Sequence, residues 1–254
     1  MLSDNVEDVF LGKNTSWGQW LDASTFQTYP NLHVDHAVSF SEEIKTLTLK
    51  LGKNTHLTLR DNTNTVRCYL EENSILLHQG LPRQGYFYLS ENARLEHHFI
   101  SSHNGLTAQI EVFLNHPKAC VDWRDGIALE HDQNVGLNIK INHVASETHS
   151  NCVLKSIVKD WGNLKFFCDI FVQKEAANCS THQRNLNHIL SPQGQITALP
   201  RLHIFNRNVE ASHGTATQPI PKDVLFYLQS RGLSAQEAEQ TYLESFFGEI
   251  YHHE

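Results

Sequence analysis

Hydrophobic and polar residues alternate along most of the chain, from about residue 34 to residue 211. Successive side chains of a β-strand point to opposite faces, so this alternation is typical of half-buried strands. Turn-forming clusters such as LGKN, RDNTN, SHNG and SPQG separate the alternating runs. The pattern predicts an all-β protein, and a sandwich, a barrel and a β-helix all remain open. The clearest runs cover residues 47–51, 57–59, 106–114, 135–141 and 164–172.

The period changes at Pro221, where the sequence PKDVLFYLQSRG predicts a short helix. The proline suits the first helical turn, and Gly232 is a suitable left-handed stop. Ser234 and Glu237 have the spacing of a capping box, which predicts the start of a second helix. Two such helices either pack on the β-body or bind a partner. The second helix has an apolar stripe made of Ala238, Tyr242, Phe246 and Ile250, widened by Leu243 and Phe247.

We therefore expect an irregular or edge-strand lead-in over 1–33, a β-core over 34–218 and a helical element over 219–254. The formal charge of −8 and the lack of a basic cluster argue against binding to nucleic acid. The acidic N-terminus does not resemble a secretory signal, and no apolar run approaches the roughly 20 residues of a membrane helix. These features predict a cytoplasmic protein that does not enter a membrane.

The five cysteines form no CxxC pair, so the sequence contains neither a zinc ribbon nor a thioredoxin-type motif. We expect them to be reduced, and most of them to be small buried residues of the core. Two GKNT segments resemble part of a phosphate-binding loop, but Glu7 and Leu47 stand where that loop requires glycine. We therefore expect no ATP hydrolysis by the isolated chain.

Two pairs of acidic residues invite comparison with enzymes that cleave polysaccharides. Asp122 and Asp125 flank Trp123 and Arg124, and Glu130 lies close to Asp132. Glycoside hydrolysis uses two carboxylates at a set separation. Acidic residues near strand ends are far more often turn formers or ion-pair partners. An enzyme that acts on sugars is therefore only a minor alternative.

Histidine is frequent, with 17 residues, and a few positions are informative. His97 and His98 are adjacent, so on a strand they face opposite sides and do not share a metal ion. His143 continues the parity of preceding apolar residues, which predicts a core-facing histidine bonded to the backbone. His213 lies between Ser212 and Gly214, and the glycine leaves room beside the imidazole. Neutral imidazole is a common ligand that suits iron, so His213 is the candidate metal ligand.

The C-terminal half resembles the SufB/SufD family of the SUF iron–sulfur cluster assembly system. The resemblance runs in order from His143 to Ile250. It includes an alanine pair followed by a glutamine, a P-x-L-x-I strand, the SHG turn and the LFYLQSRG helix. The residues that carry these motifs outside the helix are Ala176, Ala177, Gln183, Pro200, Leu202, Ile204 and Ser212 to Gly214.

Two positions favour the SufD type within this family. Proteins of the SufB type usually have a glutamate two residues beyond the serine and a cysteine directly after the glutamine. Here the residue two positions beyond Ser212 is Gly214, and the residue directly after Gln183 is Arg184. Other positions depart from the family pattern: Thr215 and Ala216 stand in reversed order, a following glycine is lost, and Ala211 replaces a frequent cysteine. A large N-terminal helical region of the family is also not expected here, since the β-pattern starts early.

The resemblance implies a right-handed parallel β-helix with a short C-terminal helical element. It implies a non-catalytic subunit that pairs through its β-helix with SufB, or with a second copy of itself. His213, Ser212 and Gly214 would then lie at this interface, close to the nascent cluster. The SufC ATPase would dock on the helical element through Leu225, Phe226, Tyr227, Leu228, Arg231 and Gly232.

The same resemblance implies that the isolated chain holds no cofactor stably. Iron or an iron–sulfur cluster would be bound only transiently within the complex, and a reduced flavin is a further candidate cofactor. The alternative within the family is a SufB-like scaffold that carries the cluster itself.

Overall fold

The computed structural model describes residues 6–11, 27–29, 37–40, 46–61, 64–101, 104–248 and 250. These residues form a stack of β-strands followed by two helices. The strands are β1 (Val6–Leu11), β2 (Gln27–Tyr29), β3 (Ala37–Phe40), β4 (Thr46–Leu51), β5 (His56–Asp61), β6 (Thr65–Leu70), β7 (Ile75–Gln79), β8 (Gln84–Leu89), β9 (Arg94–Ser101), β10 (Leu106–Leu114), β11 (Cys120–Leu129), β12 (Asn134–His143), β13 (His149–Val158), β14 (Asn163–Val172), β15 (Cys179–Ile189), β16 (Gln195–Ile204) and β17 (Val209–Gln218). The helices are α1 (Lys222–Ser230) and α2 (Ala235–Gly248).

Consecutive strands from β3 onward alternate between two sheets. Sheet A has the order β16-β14-β12-β10-β8-β6-β4-β1-β2, and sheet B has the order β17-β15-β13-β11-β9-β7-β5-β3. All neighbouring pairs are parallel, so two strands and their turns make one coil of a solenoid. The parallel β-helix expected from the family resemblance is therefore confirmed. Strands β1 and β2 fall in the predicted lead-in and lie at the edge of sheet A.

Among the described turns that lead from sheet A to sheet B, six contain a left-handed residue, and in the first three it is asparagine. Asn54, Asn73 and Asn92 have φ values of 55°, 57° and 53°, in a region that asparagine tolerates better than most residues. Their side-chain amides also form a ladder, with bonds of 3.1 and 2.8 Å between residues 19 apart. The sequence therefore contains a repeat, L-x-x-N-x-x-L at residues 51–57, 70–76 and 89–95, that the alternation pattern alone did not reveal.

Inward-facing apolar residues fill the solenoid, as the alternating runs predicted. Leu47, Leu49 and Leu51 of β4 are fully buried, and the same pattern continues through β10, β12 and β14. All five cysteines are free thiols, and all except Cys120 are buried. The prediction that most of them belong to the core is confirmed.

The two helices have the ends that the sequence predicts. Pro221 is the N-cap of α1, and Gly232, with φ of 102°, follows its C-terminus. The capping box of α2 is formed, since the Ser234 amide donates to Glu237 Oε2 at 2.8 Å and the Glu237 amide to Ser234 Oγ at 3.3 Å. Helix α2 packs on the outer face of sheet B, whereas α1 packs chiefly on α2.

Candidate functional site

The C-terminal end of the solenoid is open. Strands β16 and β17, each of 10 residues, form the last coil that the structure describes. They pair with β14 and β15 on one side, and their other edges pair with no strand among the described residues. A long unpaired edge offers backbone donors and acceptors to another polypeptide. This end of the molecule is therefore suited to strand pairing with a partner.

His213 lies in the middle of this terminal coil. It is in register with Gln183 of β15, whose side chain is buried in the solenoid interior. Strand alternation thus gives the His213 side chain an inward-facing position. The side chain is nevertheless exposed, because β17 is the last strand of sheet B among the described residues. The flanking Ser212 lies on the outer face, where its hydroxyl is 2.8 Å from His182 Nδ1. A Cβ atom at Gly214 would meet no atom within 4 Å, so the space there is open.

The interior beneath His213 is polar. Thr181, Gln183, Asn185 and Asn187 of β15 are all buried at inward positions. Asn187 Nδ2 donates to Thr217 Oγ1 at 3.1 Å, but both amide atoms of Gln183 and Asn185 Oδ1 have no hydrogen-bond partner in the described chain. Each such group costs free energy, about 1–3 kcal/mol. Sequence reasoning overlooked this set, although the polar residues at alternate positions of THQRNLN were a signal.

Two thiols lie next to this polar interior. Cys152 of β13 is in register with Gln183, and its Sγ is 3.7 Å from Cys168 Sγ across the solenoid. The hydrogen bond to Cys168, together with burial, raises the pKa of the Cys152 thiol well above its usual range. Both residues are fully buried. Cys152 is therefore protonated and unreactive at neutral pH.

The structure does not bring metal ligands together around His213. The part of the chain that it describes contains no group of three or more His, Cys, Asp or Glu side chains that could hold a metal ion. His97 and His98 point to opposite faces, as predicted, although both are buried. A metal role for His213 in this chain stays a prediction, and any further ligands would have to come from elsewhere.

The acidic residues Asp122 and Asp125 lie in different surroundings on β11. Asp125 is inside the solenoid, where it is 2.9 Å from His97 Nε2 and accepts a 2.6 Å bond from Trp123 Nε1. Asp122 is on the outer face and forms a bidentate ion pair with Arg124, at 3.0 and 2.9 Å. The two carboxylates thus lie on opposite faces of one strand, and this geometry argues against the sugar-cleaving alternative.

His143 faces the core, as predicted, but its partners are side chains rather than the backbone. Its Nδ1 is 2.8 Å from Thr148 Oγ1, and its Nε2 is 2.8 Å from Ser150 Oγ. Burial lowers the pKa of His143 to about 4. Burial likewise lowers the pKa of His97 to about 4, and the nearby Asp125 only partly opposes this effect. Both imidazoles are therefore neutral at pH 7.

Helix α1 presents an aromatic surface next to the open end. Phe226 is 74% exposed and Tyr227 is 55% exposed, and the Arg231 guanidinium lies 5.2 Å from the Tyr227 ring centroid. Leu225 and Leu228, also predicted to contact a partner, are half-buried on the other side of the helix. No residue of α1 is fully buried. Aromatic and arginine side chains are frequent anchors of protein interfaces.

The described helices include none that is long and apolar enough to span a membrane. The fold and the geometry thus define a β-helix protein with two exposed surfaces near the C-terminal end of the described chain. One is the outer edge of the terminal coil, which pairs with no described strand, and the other is the aromatic face of α1.

Residues 62–246 match the family described as SUF system FeS cluster assembly, SufBD core domain. The chain belongs to this family, as the sequence motifs predicted. It is 32% identical over 127 residues to an iron–sulfur cluster assembly SufBD family protein of Synechocystis sp., covering 46% of this chain and 28% of that protein. It is 29% identical over 110 residues to the iron–sulfur cluster assembly protein SufD of Escherichia coli, covering 43% of this chain and 26% of that protein. The matched part thus spans only about a quarter of these relatives.

Proposed function

We propose that this chain is a non-catalytic, SufD-type subunit of a SUF iron–sulfur cluster assembly complex. Family membership and the similarity to SufD of Escherichia coli support this role. The observation that carries the proposal is the pair of exposed surfaces at the C-terminal end, where an unpaired coil adjoins an aromatic helix. In this proposal the cluster and its iron are cargo of the complex. A reduced flavin and the cytoplasmic location stay predictions.

The terminal coil would pair with a SufB-type partner or with a second copy of this chain. Its two edge strands offer 10 residues each for backbone pairing. Leu199 and Phe205, which are exposed at this end, would gain an apolar contact on pairing. His213 would then lie inside the interface, in position to contact iron or the nascent cluster together with groups from the partner.

The aromatic face of α1 would dock the SufC ATPase. The sequence contains no phosphate-binding loop. In this proposal, ATP is therefore hydrolysed by SufC and not by this chain. Phe226, Tyr227 and Arg231 would be the anchors, and Leu225, Leu228 and Gly232 would support them from the helix body and its C-terminal stop.

The first experiment is purification of the tagged chain from its native cell. We expect SufB-type and SufC proteins to copurify. Tyr227→Asp should abolish SufC binding but preserve the SufB-type partner, because it would place a charge in the desolvated centre of the docking face. Trp161→Asp is the matched control, since Trp161 is 69% exposed in a turn between β13 and β14. Wild-type SufC binding by Tyr227→Asp would contradict the docking surface.

The second experiment concerns His213 and the division of roles within the family. His213→Ala should change the unfolding free energy by less than about 0.5 kcal/mol, because the side chain is exposed. It should nevertheless impair cluster assembly by the complex. Normal assembly by the variant would remove His213 from the mechanism. A stable cluster on the isolated wild-type chain after anaerobic reconstitution would instead favour the SufB-like scaffold.

A further inference from the structure

The C-terminal helical pair is fastened to the solenoid at several successive strands. The Tyr242 hydroxyl contacts His188 of β15, the Phe246 carbonyl accepts a bond from Lys155 of β13, and the Phe247 ring lies against Gly126 of β11. One helical turn advances about 5.4 Å, close to the spacing of about 4.8 Å between strands. Helix α2 therefore crosses sheet B strand by strand.

Lys155 of β13 binds the C-terminal end of α2 to the solenoid. Its ammonium group is 2.8 Å from the Phe246 carbonyl and 4.8 Å from the centroid of the Phe246 ring, and the residue is only 2% exposed. The last carbonyls of a helix lack partners within the helix and attract a cation. Helix α2 has no basic residue in its own last turn, so the solenoid supplies this charge. The end of α2 is thereby held on β13.

His188 joins α2 to the end of the terminal strand. Its Nδ1 is 2.9 Å from the carbonyl oxygen of Gln218, the last residue of β17, and its Nε2 is 3.0 Å from the Tyr242 hydroxyl. A carbonyl only accepts, so Nδ1 must carry the proton that it donates. In the neutral ring Nε2 then accepts from the Tyr242 hydroxyl. A single buried imidazole thus connects two elements that are 24 residues apart in the chain, counting from 218 to 242.

The chain segment from Gln218 to Tyr242 begins and ends in contact with His188. Only Pro219, Ile220 and Pro221 separate β17 from α1, and the two prolines restrict the backbone while Ile220 is buried. From α1 the chain continues into α2 and returns through Tyr242 to the same imidazole. A displacement of α1 therefore either breaks the contact at His188 or moves the end of β17.

We propose that His188 is a positioning residue that makes the helical pair and the end of β17 open and move as one unit. The strand that moves is the one that contains His213, five positions before Gln218. The functional meaning of this coupling rests on the proposed docking of a partner on α1. The coupling itself is a property of this chain and is measurable without a partner.

The test is amide hydrogen exchange, followed by mass spectrometry, on the full isolated chain. Tyr242→Phe removes one hydroxyl and keeps the ring that packs on His188. We expect exchange in α1 and in the second half of β17 to become faster together, by about three- to tenfold, which corresponds to one ordinary hydrogen bond. Tyr69→Phe, which removes the hydroxyl of an exposed tyrosine on β6, should change neither segment.

Faster exchange in α1 with an unchanged β17, or no change in either segment, would overturn the coupling. A second measurement separates this outcome from failure of the docking proposal. In the wild-type chain, added SufC should protect both α1 and the end of β17, whereas in Tyr242→Phe it should protect α1 alone. If SufC protects neither segment of the wild type, docking fails, but the exchange result on the isolated chain still stands. If it protects the end of β17 equally in both proteins, His188 does not carry the coupling.

Discussion

The N-terminal coils, from β4 to β8, are narrow, and the C-terminal coils, from β12 to β17, are wide. Strands β4, β6 and β8 have 6 residues each, and equivalent turn residues of successive coils are 19 positions apart. Strands β12, β14 and β16 have 10 residues each, and paired residues are 29 positions apart between β12 and β14 and 32 apart between β14 and β16. A wider coil encloses more interior volume per strand pair, which creates room for side chains other than close-packed leucine.

The interiors of the two regions differ in chemistry as well as in width. The inward residues of β4, β6 and β8 include Leu, Val, Cys and Phe, all close to fully buried. The inward residues of β15 are mostly polar, and three of their side-chain atoms lack hydrogen-bond partners within the described chain. Unsatisfied buried amides are costly, so their presence in the wide region argues for a role there other than stability. The narrow region then serves as the stable base of the molecule.

The largest expected effect tests the narrow region as the stable base. Phe87 is fully buried in β8 and packs edge to face on Trp123, with ring centroids 5.7 Å apart. Phe87→Ala should lower the free energy of unfolding by about 3–5 kcal/mol, since it removes a large side chain and leaves a cavity. Chemical denaturation followed by circular dichroism measures this loss. Phe226→Ala, at an exposed position of α1, is the control and should cost far less. Equal losses would contradict the division into base and functional end.

The next effect concerns pH and the buried histidines from β9 onward. Burial lowers the pKa of His97 and of His143 to about 4, against 6.5 in the unfolded chain. Between these values the unfolded state binds more protons, so the folded state loses stability as the pH falls from 6.5 to 4. The loss approaches about 1.4 kcal/mol per pH unit for each histidine.

Denaturant unfolding at pH 7, 6 and 5 measures this slope. His143→Gln should reduce the slope by about half of the histidine contribution. Hydrogen exchange at pH 5 should rise in β9 to β15 before it rises in β4 to β8. A slope that is the same in wild type and in His143→Gln would show that His143 is not the group that titrates.

Some of this arrangement follows from the sequence, and some does not. The alternation of Leu47, Leu49 and Leu51 and the Ser234–Glu237 capping box are local signals, so β4 and α2 were predictable. The stacking of coils is not local: it depends on which residues are in register, and alternation alone does not specify register. The sequence alone therefore does not show that Cys152, Gln183 and His213 are stacked at equivalent positions of neighbouring strands; that follows from the register in the structure.

Helix α1 shows both a feature that the sequence predicts and one that it does not. The sequence predicts a helix over PKDVLFYLQSRG, and the family resemblance implies partner contacts there; Phe226 and Tyr227 are exposed, as such contacts would require. The bond between His188 and Tyr242 joins residues 54 positions apart, and no spacing rule connects them. Long-range side-chain contacts of this kind follow from tertiary packing and have no local signature in the sequence.

A smaller effect distinguishes the turns of the two regions. Asn73 has φ of 57° and takes part in both bonds of the amide ladder, whereas Glu147 has φ of 59° in the corresponding turn of a wide coil. Asn73→Ala should cost about 1–2 kcal/mol, because alanine tolerates left-handed backbone poorly and lacks the amide. Glu147→Gly should be neutral or stabilising, because glycine adopts this conformation without strain. Thermal unfolding of the two variants measures both effects. A destabilising Glu147→Gly would show that the wide turns depend on their side chains too.

The smallest expected effect on stability is at Gly214, and Gly85 is the glycine with which we compare it. A Cβ atom at Gly85, inside a narrow coil, would lie 2.8 Å from Ile110 Cδ1 and 3.1 Å from Phe87 Cε2. A Cβ atom at Gly214, on the terminal strand, would meet nothing within 4 Å. Gly85→Ala should therefore destabilise the fold by about 1–3 kcal/mol through overpacking, whereas Gly214→Ala should change the free energy of unfolding by less than about 0.5 kcal/mol.

Gly214→Ala should nevertheless weaken pairing at the open end, if a partner strand approaches β17 beside His213. The added methyl group would then occupy space that is open only in the isolated chain. Analytical ultracentrifugation or surface plasmon resonance with the proposed SufB-type partner measures this loss. Gly136→Ala, on β12, controls for loss of a glycine alone, since a Cβ atom there would lie at an ordinary contact distance of 3.5 Å from Thr107. Unchanged pairing by Gly214→Ala would mean that no partner backbone comes close to this part of β17. The terminal coil would then have to use its other strand, β16.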